Sequence, residues 1–181
     1  MPTSANEGKY NVHSLWLMPD QNTTTELRAL ISELASKFNT PIFAPHITLV
    51  SDFSAPIDVV RDHCDRAVAS TGPTVAHSIE VDGTTAPFMS VFLKVHVPDE
   101  LIALRNKLLL ALGISDQKNY LPHISLAYFA KEGPFKNDQI ARLNKELREF
   151  RFNIISLDIV HAAKAIPISQ WLPSASIPFP L

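Results

Sequence analysis

The sequence predicts an α+β protein with two lobes. Segments of strand and helix character are interleaved along the chain in the order β-α-β-α-β-β-α-β-α-β. Too few of the connections are simple repeated crossovers to require a doubly wound parallel sheet. One five-residue motif occurs once in each half of the chain, as expected if two related lobes each contribute a strand to a shared cleft. The 181 residues, 46% of them hydrophobic, suffice for one substantial core or two small lobes with a common interface.

Six segments have the alternating or continuous apolar pattern of a partly or fully buried strand. The first ends at Pro19, and the third precedes the turn residues Asp82, Gly83 and Thr84. In chain order the six segments are residues 10–18, 43–50, 77–81, 91–97, 121–129 and 152–160. The proline-rich residues 167–180 are expected to hold one further short strand at most.

Four segments between these strands place apolar residues three and four positions apart, which is the spacing of one buried helix face. Thr23-x-x-Glu26 resembles a capping box and predicts the start of the first helix, and Gly113 predicts the end of the third. In chain order the four apolar faces are Leu27, Leu30, Ile31, Leu34 and Phe38; Ile57, Val60, Cys64 and Val68; Leu101, Leu104, Leu108 and Leu112; and Ile140, Leu143, Leu147 and Phe150.

Charge and cysteine content restrict the function and the compartment. Sixteen Lys and Arg residues against eighteen Asp and Glu give a net charge of -2, so no broad basic face is expected for a long nucleic acid. The single cysteine, Cys64, cannot form an internal disulfide, and no apolar run is long enough to cross a membrane. Residues 1–9 do not resemble a secretory signal. We expect a soluble monomer of the cytoplasm or nucleus, with a flexible tail over residues 1–9 and a single bilobal catalytic domain over residues 10–181.

The repeated motif carries the candidate chemistry. Pro45-His46-Ile47-Thr48-Leu49 and Pro122-His123-Ile124-Ser125-Leu126 are identical at four positions and exchange one hydroxyl residue for another at the fifth. Proline has no N–H and is confined to strand starts, edges or bulges, so each histidine is expected to enter a strand at once. Because side chains alternate across a strand, the histidine and the hydroxyl residue of each motif share one face, and the isoleucine and leucine face the core.

This polar face suits phosphodiester chemistry without a metal ion. A neutral histidine, with a pKa of about 6.5, can take a proton from an attacking water while a protonated histidine gives one to the leaving oxygen. We predict that His46 and His123 divide these catalytic roles and that Thr48 and Ser125 bind the phosphate. The motifs are nearly equivalent, so the sequence does not decide which histidine is the base. No metal or other cofactor is predicted, because each motif pairs histidine with a hydroxyl group instead of a second metal ligand.

Two copies of His-x-(Thr/Ser)-apolar, each on a strand, resemble the signature of the two-histidine phosphoesterases, and the resemblance extends over residues 10–161. It implies a bilobal fold in which two pseudo-symmetric lobes, with antiparallel sheets inside and helices outside, line a central cleft. The segments Ser14-Leu15-Trp16-Leu17-Met18-Pro19 and Phe43-x-Pro-His-Ile-Thr-Leu are similar to the cyclic phosphodiesterase branch. The RNA-ligase-like branch usually carries an arginine five residues after each motif histidine, where this chain has Ser51 and Tyr128.

The resemblance to the cyclic phosphodiesterase branch implies a small cyclic phosphate as the substrate. That branch opens ADP-ribose 1'',2''-cyclic phosphate, which arises downstream of tRNA splicing, and nucleoside 2',3'-cyclic phosphates. The products would be ADP-ribose 1''-phosphate and nucleoside 2'-phosphates.

The resemblance also implies a substrate-binding role for Tyr128. Strict alternation from His123 sends the Tyr128 side chain to the opposite face, so this role requires a bulge or a strand end. Trp16 and Phe88 are further candidates for stacking on a base or ribose, although aromatic residues in strands are more often part of the core.

Two alternatives stay open. A phosphodiesterase or ligase acting on 2',5'- or 3',5'-linked RNA ends would bind with a strong salt dependence, which the charge balance does not favour. A non-catalytic module would bind nucleotides in the same cleft without turnover. The remaining histidines are expected to be structural or exposed; they are His13, His63, His77, His96 and His161.

Overall fold

The computed structural model describes residues 12–115 and 119–180. Within them, seven strands and four α-helices follow one another in the order that the sequence predicts, with the seventh strand in the proline-rich tail. In chain order they are β1 (Val12–Pro19), α1 (Gln21–Phe38), β2 (Ile47–Ser54), α2 (Ile57–Val68), β3 (Thr74–Asp82), β4 (Val91–His96), α3 (Asp99–Ala111), β5 (His123–Ala127), α4 (Pro134–Glu146), β6 (Arg151–His161) and β7 (Leu172–Pro178). The tail predicted at residues 1–9 lies outside the described residues.

All strand pairs among the described residues are antiparallel, and they form one sheet of order β1-β2-β5-β4-β3-β6-β7. Because β1 also pairs with β6, the first six strands in this order form a closed ring. Two short junctions divide the ring: β2 meets β5 at the single pair Ile47 and Ile124, and β3 meets β6 at Thr74 to His77. One lobe thus contains β2, β1, β6 and β7, and the other contains β5, β4 and β3. The predicted α+β fold with two antiparallel lobes is confirmed.

Each helix buries one apolar face in the core. The fully buried helical side chains, at 0% exposure, include Leu27, Ile31, Leu34, Val60, Cys64, Leu101, Leu108 and Leu143. Burial of an aliphatic side chain of this size stabilises the folded state by roughly 1.5 to 3 kcal/mol. None of the described helices is both long enough and apolar enough to cross a bilayer.

Several element boundaries differ from the predictions by a few residues, and two of the differences concern the start of α1 and the start of β2. The N-cap of α1 is Asp20, whose carboxylate accepts a hydrogen bond from the Thr23 backbone N–H at 3.0 Å, so the predicted capping box at Thr23 is wrong. Strand β2 begins at Ile47, later than predicted, and proline at position 45 has no N–H to contribute to a strand pair. His46 therefore lies immediately before the strand and not within it.

Candidate active site

The first motif joins a loop to the start of β2. Ile47 and Leu49 are buried in the core at 0% and 1% exposure. His46 and Thr48 instead line a cavity. The alternation of side chains along the strand therefore separates the polar pair from the apolar pair, as the sequence predicts.

The second motif repeats this arrangement at the start of β5, which is the neighbour of β2 in the sheet. Ile124 and Leu126 are fully buried in the core, and His123 and Ser125 line the same cavity as the first motif. The two strands meet at the pair Ile47 and Ile124, so their polar faces lie side by side. We call this space, of about 330 Å³, the central cavity. Its volume lies in the range of small-molecule sites.

The central cavity brings together all of the residues that the sequence predicts for the site. They are Trp16, His46, Thr48, Phe88, His123, Ser125 and Tyr128. Its wall thus combines two imidazoles and two aliphatic hydroxyl groups with three aromatic rings. Such a wall offers proton-transfer groups and hydrogen bonds to a phosphate, together with flat apolar surfaces for a sugar or a base.

Both imidazole rings are held by the same type of backbone contact. Nδ1 of His46 lies 2.7 Å from the carbonyl oxygen of Ala44, and Nδ1 of His123 lies 2.8 Å from that of Leu121. A carbonyl oxygen only accepts hydrogen bonds, so each Nδ1 carries a proton and donates it. A neutral ring therefore keeps Nε2 unprotonated, and this is the atom that can take a proton from water.

Burial makes both imidazoles poor at holding a second proton. Desolvation lowers the pKa of His46 from 6.5 to about 4, against the opposing effect of its hydrogen bond to Ala44. The positive charge of a protonated His123 contributes to this lowering, so the two rings lie within electrostatic reach of each other. Burial also lowers the pKa of His123, against its hydrogen bond to Leu121. Without a bound anion, both rings are therefore neutral at pH 7.

The two rings have different aromatic neighbours. The indole of Trp16 stacks on the His46 ring, with centroids 3.6 Å apart and an interplanar angle of 8°. Phe92 meets the His123 ring edge-on, at 5.3 Å and 68°. Trp16 therefore belongs to the cavity wall and fixes the plane of one imidazole.

Tyr128 reaches the central cavity because β5 contains a bulge and then ends. Phe92 pairs with Ser125 and Val91 pairs with Ala127, so one residue of β5 has no partner between them. The strand stops at Ala127, directly before Tyr128. Burial raises the pKa of the Tyr128 phenol to about 12, and its hydroxyl interacts with the side chain of Ser125. The bulge and the strand end that allow Tyr128 to face the cavity are thus both present.

Trp171 and Lys164 also line the central cavity, and neither was predicted from the sequence. Trp171 follows the short 3₁₀ turn Ile168–Gln170, and its ring packs edge-on against Trp16 at 5.8 Å and against Tyr128 at 6.0 Å. Lys164 lies in the connection between β6 and β7. The sequence feature that could have indicated them is a tryptophan and a lysine in a segment otherwise rich in proline and small residues. Their position depends on the pairing of β6 with β7, which the local sequence does not specify.

Other reactive residues lie outside the central cavity. Cys64 is fully buried, and burial raises the pKa of its thiol to about 12, so it behaves as a small apolar side chain. His77 and His96 stack on each other at 4.6 Å on β3 and β4. In the described part of the chain, no group of three or more His, Cys, Asp or Glu residues is arranged to hold a metal ion.

Known proteins are similar to this chain in sequence and in fold. The sequence profile of the 2'-5' RNA ligase superfamily matches residues 19–165. The Arabidopsis thaliana protein named cyclic phosphodiesterase is 27% identical over 122 residues, which are 67% of this chain and 67% of that protein. The crystal structure of E. coli LigT complexed with 3'-AMP has a TM-score of 0.58 at 12% identity and covers 93% of this chain and 98% of LigT. A crystal structure from Thermus thermophilus has a TM-score of 0.59 at 14% identity, with coverages of 93% and 97%.

Proposed function

The chain belongs to the 2'-5' RNA ligase superfamily and is an enzyme of the phosphodiesterase class, and from its central cavity we propose that it opens small cyclic phosphates. The proposed substrates are ADP-ribose 1'',2''-cyclic phosphate, giving ADP-ribose 1''-phosphate, and nucleoside 2',3'-cyclic phosphates, giving 2'-phosphates. The Arabidopsis relative is itself named a cyclic phosphodiesterase, which supports this substrate class. Hydrolysis of the ADP-ribose compound would place the enzyme downstream of tRNA splicing.

The proposed reaction uses one base and one acid around a single phosphorus atom. The oxygen of a water molecule attacks phosphorus while Nε2 of one histidine takes the water's proton. The bond from phosphorus to one ribose oxygen breaks, and that oxygen receives a proton from Nε2 of the other histidine. His46 and His123 can both supply Nε2 because a carbonyl group holds each Nδ1. Each of these proton transfers is worth about 10² to 10⁴-fold in rate.

We assign the base to His46 and the acid to His123. His46 is 5% exposed, and its pKa of about 4 keeps the ring unprotonated at neutral pH. His123 is only partly buried, so its charged form keeps more of its hydration. The negative charge of a bound cyclic phosphate raises the pKa of a neighbouring imidazole, and the more solvated ring is the one that then gains the proton.

Neutral hydroxyl groups would hold the phosphate in this scheme. Thr48 and Ser125 each follow a histidine by two positions on the cavity side of their strand. The Tyr128 hydroxyl lies beside Ser125 and adds a third donor. Hydrogen bonds from such donors strengthen as negative charge builds on the non-bridging oxygens in the transition state. The rings of Trp16 and Phe88 would contact the ribose or base.

The observation that carries this proposal is that His46 and His123 line one cavity from adjacent strands, each with its Nδ1 held by a carbonyl group. Chelator-treated protein is expected to convert ADP-ribose 1'',2''-cyclic phosphate to the monophosphate, as followed by phosphorus NMR. The double variant His46→Ala, His123→Ala is expected to lose at least about 10³-fold in rate. His96→Ala, at an exposed position outside the cavity, is the control and should keep wild-type activity. Turnover by the double variant would refute the proposal.

The superfamily is named for 2'-5' RNA ligases, and this favours one second candidate, which is action on 2',5'- or 3',5'-linked RNA ends. The net charge of -2 and the cavity volume of about 330 Å³ suit a short ligand better than an RNA end. Linear dinucleotides with both linkages, incubated under the same conditions, decide between the two. Faster cleavage or joining of these dinucleotides than opening of cyclic phosphates would replace the proposal. Tight binding of all of these ligands without turnover would identify a binding module instead.

A further inference from the structure

A second cavity, of about 500 Å³, adjoins the central cavity. Phe88 and Lys164 line both spaces. The rest of its wall is largely apolar and includes Phe129, Ile166 and Ile168, and we call this space the outer cavity. A ligand with its reacting group in the central cavity can therefore extend past Phe88 and Lys164 into the outer cavity.

Lys164 carries the positive charge at the junction of the two cavities. Among the described residues that line either cavity, it is the only lysine or arginine. It is exposed and forms no ion pair with another residue that the structure describes. Since His46 and His123 are neutral without a bound anion, the Lys164 ammonium group is the charge available to attract a phosphate at this point.

Phe129 presents an aromatic ring to the outer cavity at some cost to its backbone. Its φ of 57° lies in the left-handed region, which bulky residues rarely adopt. The Phe129 N–H donates a hydrogen bond of 2.8 Å to the carbonyl oxygen of Pro87, which fixes this conformation. The ring is 47% exposed and lies edge-on to Phe88 at 5.2 Å. Strained backbone of this kind concentrates at functional sites, and exposed aromatic rings are stacking surfaces for nucleobases.

We propose that the outer cavity is a second substrate subsite, which binds the adenosine diphosphate part of ADP-ribose 1'',2''-cyclic phosphate. The cyclic phosphate and its ribose would occupy the central cavity. The diphosphate attached to the primary hydroxyl of that ribose would lie beside Lys164, and the adenine would stack on Phe129. This inference rests on the proposed function and makes the extended substrate a better one than a mononucleoside cyclic phosphate.

A phosphate at the same position also occurs in RNA that ends in a 2',3'-cyclic phosphate, because the terminal ribose is linked through its primary hydroxyl to the preceding nucleotide. The shared chemistry is a second phosphate on the ribose that carries the cyclic phosphate. The apolar wall and the single cation of the outer cavity suit one nucleoside and not a longer chain. We therefore assign the subsite to the ADP-ribose compound and use a dinucleotide 2',3'-cyclic phosphate to test the other source.

The test compares kcat/KM for ADP-ribose 1'',2''-cyclic phosphate, 2',3'-cyclic AMP and the dinucleotide in the full-length enzyme. For Lys164→Gln, the value for the ADP-ribose compound is expected to fall about tenfold more than the value for 2',3'-cyclic AMP, because only the former loses a charge-assisted contact. This additional loss should appear as a higher KM for the ADP-ribose compound. Phe129→Ala is likewise expected to lower kcat/KM more for the ADP-ribose compound than for 2',3'-cyclic AMP. Lys131→Gln and Phe135→Ala, at exposed positions that line neither cavity, are the matched controls.

The possible results distinguish a failure of the subsite proposal from a failure of the proposed function. If the wild-type enzyme opens 2',3'-cyclic AMP but Lys164→Gln affects all substrates equally, the subsite is refuted and the proposed function stands. If the wild-type enzyme opens no cyclic phosphate, the proposed function itself has failed. A selective loss confined to the dinucleotide would overturn the assignment to ADP-ribose. Calorimetric titration with ADP gives a readout independent of turnover, and Lys164→Gln is expected to weaken that binding about tenfold.

Discussion

The first and second motifs hold their histidines in the same way, yet the two rings lie in different surroundings. In each motif, Nδ1 bonds to the carbonyl oxygen of the residue two positions earlier, at 2.7 Å and 2.8 Å. His46 is packed face to face on Trp16 and is 5% exposed. His123 meets Phe92 only edge-on and remains partly exposed. The repeated sequence therefore gives both imidazoles the same backbone contact, whereas their burial and aromatic neighbours differ.

This difference separates two contributions to the protonation of a histidine in the central cavity. The motif itself determines which nitrogen is protonated, because the carbonyl partner is close in sequence. The neighbouring rings and the degree of burial determine how readily the other nitrogen gains a proton, and these come from strands elsewhere in the chain. Trp16 lies on β1 and Phe92 lies on β4. Under the proposed assignment, two nearly identical motifs therefore yield one base and one acid.

Removal of each ring in turn is expected to produce the largest effects. His46→Asn and His123→Asn should each lower kcat by about 10³-fold. The pH dependence of kcat/KM should then distinguish them. In the wild-type enzyme, kcat/KM is expected to rise with pH through about 4, as His46, the proposed base, loses its proton. It is expected to fall at higher pH as His123, whose pKa burial holds below 6.5, loses the proton that the acid must give.

The residual activities of the two variants decide the assignment of base and acid. His46→Asn should keep only the limb that falls with pH, and His123→Asn should keep only the limb that rises. The reverse pattern would exchange the two roles. An optimum above pH 7 in the wild-type enzyme would contradict the lowered pKa values on which the assignment depends.

A smaller effect, on stability, follows from the same difference in burial. A histidine in the unfolded chain keeps its ordinary pKa of 6.5, whereas His46 in the folded protein has a pKa of about 4. Below pH 6.5 the unfolded state therefore binds a proton that the folded state does not, and the free energy of unfolding falls as the pH falls towards 4. Between pH 7 and pH 5 this group alone should cost about 2 kcal/mol of stability.

Urea denaturation of the wild type, His46→Gln and His123→Gln at both pH values measures this cost. His46→Gln should lose about 2 kcal/mol less than the wild type on acidification. The difference should be smaller for His123→Gln, whose ring is partly exposed. His13, a buried histidine whose pKa burial also lowers, is present in all three proteins and contributes equally. The same acid sensitivity in all three would show that the two motif histidines do not differ in this way.

Local pattern was enough to predict the order of the elements and the polar face of each motif. The predicted resemblance to the two-histidine phosphoesterases is confirmed by the superfamily match. These features follow from nearest neighbours in the sequence: apolar periodicity sets the elements, and the alternation of a strand sets the faces. The exact cap of α1 was missed because Asp20 and Thr23 are both good capping residues, and the contact of Asp20 with Asn153 on β6 is not visible in the local sequence.

The unequal surroundings of the two histidines could not be predicted, because they depend on contacts between distant segments. The stacking of Trp16 on His46 requires the register between β1 and β2, where Trp16 pairs with Thr48. Trp171 and Lys164 reach the cavity only because β7 pairs with β6 and holds the intervening connection against it. The motif thus identifies the candidate histidines and sets which ring nitrogen is protonated, whereas the pairing of remote strands determines how readily each ring gains a second proton.

The smallest expected effect tests that last contribution directly. Trp16→Leu removes the stacked indole and admits water to His46, so the pKa of His46 should rise towards its ordinary value and the rising limb of kcat/KM should move to higher pH. Phe92→Leu is the matched variant on the other ring, and it should move the falling limb and leave the rising limb in place. At the pH optimum each change should lower kcat by less than about tenfold, because both imidazoles and their carbonyl partners remain. Equal displacement of both limbs by Trp16→Leu would show that the two rings titrate as one coupled pair, and that the difference in their surroundings does not divide the roles.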